Sequence, residues 1–115
     1  MNEPIIGRKD TAGKDPWDLL PMGPIQAIVQ VLAYGAKKYS VFGEAGELIR
    51  SGIGNWKHVE QPREKYYAAT MRHLVSWRAG EIIDPETGLL HLAHAGCNVV
   101  FLLWFDLNRP APANT

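Results

Sequence analysis

One stretch of the chain decides its fold class: residues 90–107 read LHLAHAGCNVVFLLWFDL. Within it, 92–105 holds no charged residue, and these fourteen residues are too few to cross a bilayer, which takes roughly twenty apolar residues. His94 and Asn98 also interrupt the apolar run with polar groups. The stretch therefore predicts a buried helix from Leu90 to Leu107 in an all-α protein.

Two further helices are predicted before this one. The first begins near Gly23-Pro24 and runs to Ala36. Proline is favoured in the first turn of a helix, because the N–H that it lacks would have no intrahelical hydrogen-bond partner there. The second begins at Pro62 and ends at Gly80. The expected architecture is a small bundle of three main helices.

The segment between the first two helices is rich in glycine. Residues 40–56 hold four glycines and no period-two alternation long enough for a sheet, so they are predicted to form a connecting loop with one helical turn. The whole chain, 1–115, is expected to be one domain with an arm over 1–15 and a frayed tail over 108–115. Trp17 is expected to pack on the core.

The balance of charged residues limits which classes of partner are expected. Twelve basic and twelve acidic residues give a net charge of zero. Nucleic-acid polymers and anionic membranes attract proteins with excess positive charge, so neither is an expected partner. The first residues lack the apolar run of an export signal, and the single cysteine, Cys97, has no internal partner for a disulfide. We therefore expect a cytoplasmic protein.

A polar cluster is predicted where the second and third helices meet. On the third helix, His91, His94 and Asn98 follow the spacing i, i+3, i+7, which places them on one face. Burying these groups costs free energy unless each finds a partner, which a metal ion, a carboxylate or a ligand could supply. The other members of the predicted cluster are Arg72, His73, Glu81, Asp84 and Glu86.

Two interpretations of this cluster stay open from the residues alone. Imidazoles with carboxylates suit a divalent ion of the zinc, manganese or iron type, or magnesium where carboxylates dominate. Alternatively, the histidines are hydrogen-bonded core residues, and Glu81 and Asp84 are solvated residues of a turn.

Two further groups are candidates for binding a nucleotide. Lys38 at the end of the first helix and Arg72 beside His73 are candidate phosphate contacts, since an ammonium and a guanidinium both pair with phosphate oxygens. Lys38 could equally complement the helix dipole. Asn55 and Trp56 could contact a base, although Trp56 could instead plug the helical bundle.

Motifs spread over most of the chain carry a family resemblance. In chain order they are Gly13-Lys14-x-Pro16-Trp17-Asp18-Leu19-Leu20-Pro21, Tyr34-Gly35-Ala36-x-Lys38-Tyr39, Asn55-Trp56, Arg72-His73-Leu74, Trp77, Gly80-Glu81, Asp84, Gly88, and His91-Leu92-x-His94 with Asn98. Together they resemble the phage family described as dATP/dGTP diphosphohydrolase, N-terminal. That family is similar to the all-α nucleotide pyrophosphohydrolases of the MazG kind, which hold magnesium with acidic residues on two neighbouring helices.

The resemblance implies hydrolysis of a purine (deoxy)nucleoside triphosphate to a monophosphate and pyrophosphate. It favours magnesium or manganese over zinc as the divalent ion, and a location in the cytoplasm of an infected bacterial host. The resemblance also implies that four residues bind the metal or orient its ligands: Glu81, Asp84, His91 and His94. His73 becomes the candidate general base or a further ligand, and the substrate contacts are Lys38, Asn55, Trp56, Arg72 and Asn98.

One departure from the MazG pattern keeps other functions open. The acidic pairs Glu44-x-x-Glu47 and Glu81-x-x-Asp84 are predicted to lie in a loop and a turn, not on facing helices. A protein that binds a nucleotide or a nucleotide-derived signal without cleaving it is therefore the alternative. A helical interaction module with purely structural histidines is a third interpretation.

The apolar run 99–105 also bears on assembly. Three helices with this much apolar surface are hard to cover within one small chain. A homodimer or homotetramer is expected, in which a neighbouring subunit could complete the site.

Overall fold

Three helices form most of the regular structure. The computed structural model describes residues 4–10 and 12–110, so the predicted arm and tail lie partly outside the described residues. The helices are α1 (Met22–Lys38), α2 (Pro62–Arg78) and α3 (His91–Leu107), which confirms the three predicted from the sequence. Single 3-10 turns precede α1 at Trp17–Leu19 and α2 at Asn55–His58.

Proline and left-handed backbone set the helix ends. Pro62 occupies the first turn of α2, and the preceding Gln61 adopts a φ of 52°, which directs the chain sharply into the helix. α1 begins at Met22, one residue before the predicted Gly23. Gly80, with a φ of 103°, follows the end of α2, as expected of a residue that turns the chain out of a helix.

The prediction of an all-α fold was wrong in one segment. Within the predicted loop, β1 (Val41–Phe42) pairs antiparallel with β2 (Leu48–Arg50), with an irregularity in the register between Val41 and Phe42. Gly46 takes a φ of 83° in the tight turn between the strands. Strands of two and three residues are too short to show a period-two pattern, so this sheet has no recognisable signal in the sequence.

The hairpin is attached to the end of α1 through one serine. The hydroxyl of Ser40 donates to the carbonyl oxygen of Ala36 at 2.7 Å and accepts the N–H of Gly52 at 2.8 Å. These two bonds close the base of the hairpin against the last turn of α1. They fix where the chain leaves the hairpin toward α2.

Helix α3 packs against both other helices. On the α1 side, Ala93 and Cys97 of α3 form the buried core with Val31. On the α2 side, Phe101 lies 5.1 Å from the ring of Tyr66. α3 is therefore the element that contacts both other helices. The prediction that it is buried holds only in part, because Leu92, Val99 and Leu103 are 45%, 50% and 55% exposed.

The expected packing of Trp17 on the core was wrong. Its side chain is 76% exposed in the 3-10 turn before α1. None of the helices in the described part of the chain has the length and apolar character that crossing a membrane requires.

The folding stability of the protein should fall at alkaline pH because Cys97 is buried and Tyr66 is half-buried. Burial raises the pKa of the Cys97 thiol from 9.0 to about 11, and burial together with the nearby Tyr39 raises that of Tyr66 to about 12. Above pH 9 the unfolded chain loses protons that the native chain keeps, so stability falls as the pH rises. For Cys97 alone the loss reaches about 3 kcal/mol once both states are ionised.

We expect iodoacetamide to alkylate Cys97 at pH 8 only after unfolding in urea, and denaturant midpoints to fall between pH 9 and 11. Cys97→Ser serves as the control for labelling. Equal alkylation rates in native and unfolded protein would show that the thiol is not buried.

Candidate functional site

A short connection between α2 and α3 carries the carboxylates of the site. Asp84 donates its N–H to the carbonyl oxygen of Leu89 and accepts the N–H of Gly88 on its own carbonyl, both at 2.8 Å. Gly88 allows this turn because it adopts a φ of 73°. An isolated bridge between Ile83 and Leu90 then returns the chain to the start of α3. The connection thus holds Asp84 over the first turns of α3.

Three side chains from this connection and both helices form a histidine–aspartate cluster: His73, Asp84 and His94. One potential ligand atom from each lies within 4.8 Å of the others. Asp84 and His94 are buried, whereas His73 is half-buried. The rings of His73 and His94 stack with centroids 4.5 Å apart and planes 5° from parallel. The cluster offers two imidazoles and one carboxylate, a donor set that fits a divalent cation.

Thr87 supports two members of the cluster, and the sequence analysis did not single it out. Its hydroxyl donates to Oδ2 of Asp84 at 3.1 Å and lies 2.7 Å from Nε2 of His94. The N–H of Glu86 donates to the other oxygen, Oδ1, of Asp84 at 3.1 Å. The signal was available in Asp84-x-x-Thr87-Gly88, since an Asp that opens a turn commonly accepts bonds from the next residues.

A second arrangement, the Glu81–His91–His73 chain, lies beside the cluster. Nε2 of the buried His91 lies 2.6 Å from Oε1 of Glu81, and Nδ1 of His91 lies 2.9 Å from Nδ1 of His73. A carboxylate accepts, so Nε2 of His91 donates, and in neutral His91 the other nitrogen then accepts from Nδ1–H of His73. This leaves Nε2 of His73 as an acceptor, the form in which an imidazole binds a cation or takes a proton.

Burial and neighbouring charges favour neutral imidazoles and an ionised carboxylate in the cluster. Burial and the neighbouring His94 lower the pKa of His73, and burial lowers that of His94, although Asp84 opposes both shifts. Burial acts to raise the pKa of Asp84, but the bonds from Glu86 and Thr87, together with the neighbouring His94 and His73, hold this pKa below its usual value. Neutral imidazoles and an ionised carboxylate at pH 7 are the forms that bind cations.

The predicted phosphate contacts lie at the margin of the cluster. Nζ of Lys38 is 4.0 Å from Oε1 of Glu86, whose backbone N–H bonds to Asp84. Arg72 is exposed, and its charge contributes to lowering the pKa of His73. Lys38 thus pairs with a residue of the connection that carries Asp84, and Arg72 precedes His73 on α2.

The residues predicted to contact the base, Asn55, Trp56 and Asn98, are not members of the histidine–aspartate cluster. The indole of Trp56 stacks on Phe101 with centroids 4.4 Å apart and meets Trp104 edge-on at 5.2 Å, the arrangement expected of a residue that plugs the bundle. Asn55 begins the 3-10 turn before α2. Asn98 is half-buried, one turn beyond His94 on α3. Contact of these three residues with a base remains a prediction.

Fold and cluster together define a small helical protein with a candidate centre for a divalent cation at the α2–α3 junction. The chain belongs to the family described as dATP/dGTP diphosphohydrolase, N-terminal, whose sequence profile matches residues 5–114. This confirms the family predicted from the motifs.

A phage protein is similar in sequence to most of this chain. The chain is 32% identical over 106 residues to a protein of Salmonella phage PMBT28 named dATP/dGTP diphosphohydrolase, and the match covers 92% of this chain and 32% of the relative. The chain therefore spans about a third of the length of that relative. No solved structure matches the chain.

Proposed function

We propose that this chain binds a purine (deoxy)nucleoside triphosphate with a divalent cation and hydrolyses it to the monophosphate and pyrophosphate. The histidine–aspartate cluster is the observation that carries the proposal. The name of the phage relative supports the substrate class. The zero net charge agrees with a mononucleotide in place of a nucleic-acid polymer.

The cation would be held by Asp84, His94 and His73. Two imidazoles and one carboxylate form a mixed donor set that manganese accepts, and manganese is one of the two ions favoured by the family resemblance. Magnesium, the other, suits sets in which carboxylates dominate. A bound divalent cation lowers the pKa of water and neutralises charge on a phosphoryl group. His73 would then be a further ligand, one of its two predicted roles.

Glu81 and His91 are assigned an orienting role. Their predicted role included metal binding or orientation of the metal ligands, and the Glu81–His91–His73 chain favours orientation. Both ring nitrogens of His91 already have partners, at 2.6 and 2.9 Å. His91 therefore fixes the tautomer and the ring plane of His73, and Glu81 fixes those of His91.

The remaining predicted residues would hold the substrate. Lys38 would leave the exposed Glu86 carboxylate for a phosphate, because a contact of 4.0 Å between solvated side chains holds it weakly. Arg72 would bind a second phosphate with its planar fork of donors. We assign Asn55, Trp56 and Asn98 to the base side of the substrate.

The proposal is tested with purified protein, dATP or dGTP, and one of Mg²⁺, Mn²⁺ or Zn²⁺. We expect pyrophosphate and the deoxynucleoside monophosphate in equal amounts, with Mn²⁺ or Mg²⁺ more effective than Zn²⁺. Release of inorganic phosphate alone would contradict cleavage at the α-phosphorus. No turnover with any ion would reject hydrolysis by this chain.

One observation favours a second function, nucleotide binding without cleavage. Asp84 is the one carboxylate within the histidine–aspartate cluster, and Glu44 lies in the exposed hairpin turn. The chain also covers only a third of its phage relative, so catalytic residues of a longer protein need not lie in this part. Calorimetry separates the two functions, because a binding protein retains the intact nucleotide and is indifferent to a chelator.

Removal of Glu81 tests the orienting role. We expect Glu81→Ala to lower turnover and Mn²⁺ affinity by about 10- to 100-fold, the usual effect of losing a group that orients a ligand. Rates and binding isotherms are measured beside Glu44→Ala, a matched control in the hairpin turn that should behave like the unmodified protein. Unchanged Mn²⁺ affinity and turnover in Glu81→Ala would contradict the role.

A further inference from the structure

The hydroxyl of Thr87 lies where three polar groups of the site meet. Its Oγ1 is 2.7 Å from Nε2 of His94 and 3.1 Å from Oδ2 of Asp84, and these two atoms are 3.4 Å from each other. The N–H of Leu89 donates to the same Oγ1 at 3.2 Å. Oγ1, Oδ2 and Nε2 therefore form a triangle of one neutral oxygen, one carboxylate oxygen and one imidazole nitrogen.

The sides of this triangle match the spacing of ligands around a small divalent cation. In a six-coordinate site with metal–ligand bonds of about 2.1 Å, neighbouring ligand atoms lie about 3.0 Å apart. The three distances in the triangle, 2.7, 3.1 and 3.4 Å, lie on both sides of that value. A cation bound by Asp84 and His94 would thus be within reach of Oγ1 of Thr87 without a movement of the backbone.

The hydrogen bonds of Thr87 leave its oxygen able to bind a cation. A hydroxyl oxygen has two lone pairs, and the N–H of Leu89 takes one of them. The hydroxyl proton rotates about the C–O bond, so the bond to Oδ2 can be exchanged for another acceptor while Oγ1 keeps its place. Because Oδ1 of Asp84 accepts the N–H of Glu86, this carboxylate offers one oxygen, and Thr87 is the neighbour that can supply a second.

We propose that Thr87 is a direct ligand of the divalent cation, through Oγ1, beside the histidine–aspartate cluster. This role rests on the cation binding of the proposed function, and it adds a neutral oxygen to two imidazoles and one carboxylate. A serine or threonine hydroxyl binds Mg²⁺ in the same way in phosphate-binding loops.

The added oxygen would set which ion the site prefers. Magnesium and manganese favour six ligands with oxygen among them, whereas zinc is held by three protein ligands and a water. A hydroxyl ligand therefore matters more to Mg²⁺ and Mn²⁺ than to Zn²⁺. Thr87 would bias the site toward the two ions that the proposed hydrolysis uses.

Calorimetric titration of Mn²⁺, Mg²⁺ and Zn²⁺ into the unmodified chain, Thr87→Val and Thr87→Ser tests this role. Valine keeps the shape of threonine without the hydroxyl, and serine keeps the hydroxyl. We expect Thr87→Val to lose about 10-fold more affinity for Mn²⁺ and Mg²⁺ than for Zn²⁺, and Thr87→Ser to bind as the unmodified chain does. Thr70→Val is the matched control, because the Thr70 hydroxyl donates to the carbonyl oxygen of Tyr66 within α2 and should not affect the ions.

Several results would overturn the proposal. Equal losses for all three ions in Thr87→Val would mean that the hydroxyl only positions Asp84 and His94, since an orienting group serves every ion alike. A gain of affinity would mean that the hydroxyl competes with the cation for those two side chains. Unchanged affinities in Thr87→Val, or an unmodified chain that binds none of the ions, would also exclude the role. The titrations contain no nucleotide, so an absence of turnover would reject hydrolysis alone.

Water-proton relaxation of Mn²⁺ bound to the unmodified chain is the second measurement if circular dichroism shows that Thr87→Val does not fold. It counts the water molecules that remain on the ion. A six-coordinate Mn²⁺ with Thr87 and the histidine–aspartate cluster as ligands keeps about two waters, and with the cluster alone it keeps about three. We expect the lower count, and the higher count would exclude Thr87 as a ligand.

Discussion

Asp84→Asn is expected to remove Mn²⁺ binding and to lower nucleotide hydrolysis by more than about 100-fold, beyond the 10- to 100-fold typical of losing an orienting group. The change removes the one negative charge of the histidine–aspartate cluster while preserving the shape of the side chain. The amide oxygen can still accept the N–H of Glu86, so the connection between α2 and α3 should keep its path. The loss of Mn²⁺ binding and of hydrolysis would therefore result from removal of the negative charge.

Calorimetric titration with Mn²⁺ and a pyrophosphate-release assay measure the two effects of Asp84→Asn. Asp10→Asn is the matched control, since Asp10 is exposed in the segment before α1 and should tolerate the same substitution. Circular dichroism separates loss of binding from loss of fold. A folded Asp84→Asn with undiminished Mn²⁺ affinity would show that the cluster is structural, in agreement with the interpretation of the histidines as hydrogen-bonded core residues.

Gly52→Ala is expected to be the most destabilising single change outside the site, by about 3 kcal/mol. A Cβ atom at this position would overlap the carbonyl oxygen of Ala36 and lie 2.7 Å from the backbone nitrogen of Ser40. These are backbone atoms at the end of α1, so they cannot rotate away. Relief of the overlap would also break the bond from the Gly52 N–H to the Ser40 hydroxyl.

Thermal and urea unfolding measure this effect, with Gly35→Ala as the control. Nothing lies within 4 Å of a Cβ atom built on Gly35, which is inside α1, so alanine there should stabilise the protein by up to about 1 kcal/mol through its higher helix propensity. The two glycine-to-alanine changes thus have opposite expected signs. A Gly52→Ala variant as stable as the unmodified chain would mean that the hairpin does not rest against α1.

The helices were predictable because their signals are local. An apolar run around His94, a proline at position 62 and a glycine at position 80 each act within a few residues. The approach of the carboxylates to the third helix was also predictable, since a turn between two antiparallel helices returns the chain to the start of the next. The small sheet escaped prediction because Leu48–Arg50 is held by its partner strand and by Ser40, and not by any pattern of its own.

The pairing of the histidines could not be predicted in the same way. Helical spacing places His91 and His94 on one face, but it does not say which of them stacks on His73 and which bonds to it. That depends on how α2 is rotated against α3. Thr87 was missed for a related reason, because its contact with His94 exists only once the connection has folded over the helix.

The sequence by itself determined the family, the three helices and the residues available for a polar site, because motif order, helix signals and composition are properties of the chain read locally. Only the tertiary structure decided that His73, Asp84 and His94 form one cluster while Glu81 and His91 form a chain behind His73. It also decided that Leu92, Val99 and Leu103 of α3 are about half exposed, and not buried as the apolar run predicts. The physical reason is that both outcomes depend on the relative rotation of packed helices, which no local spacing specifies.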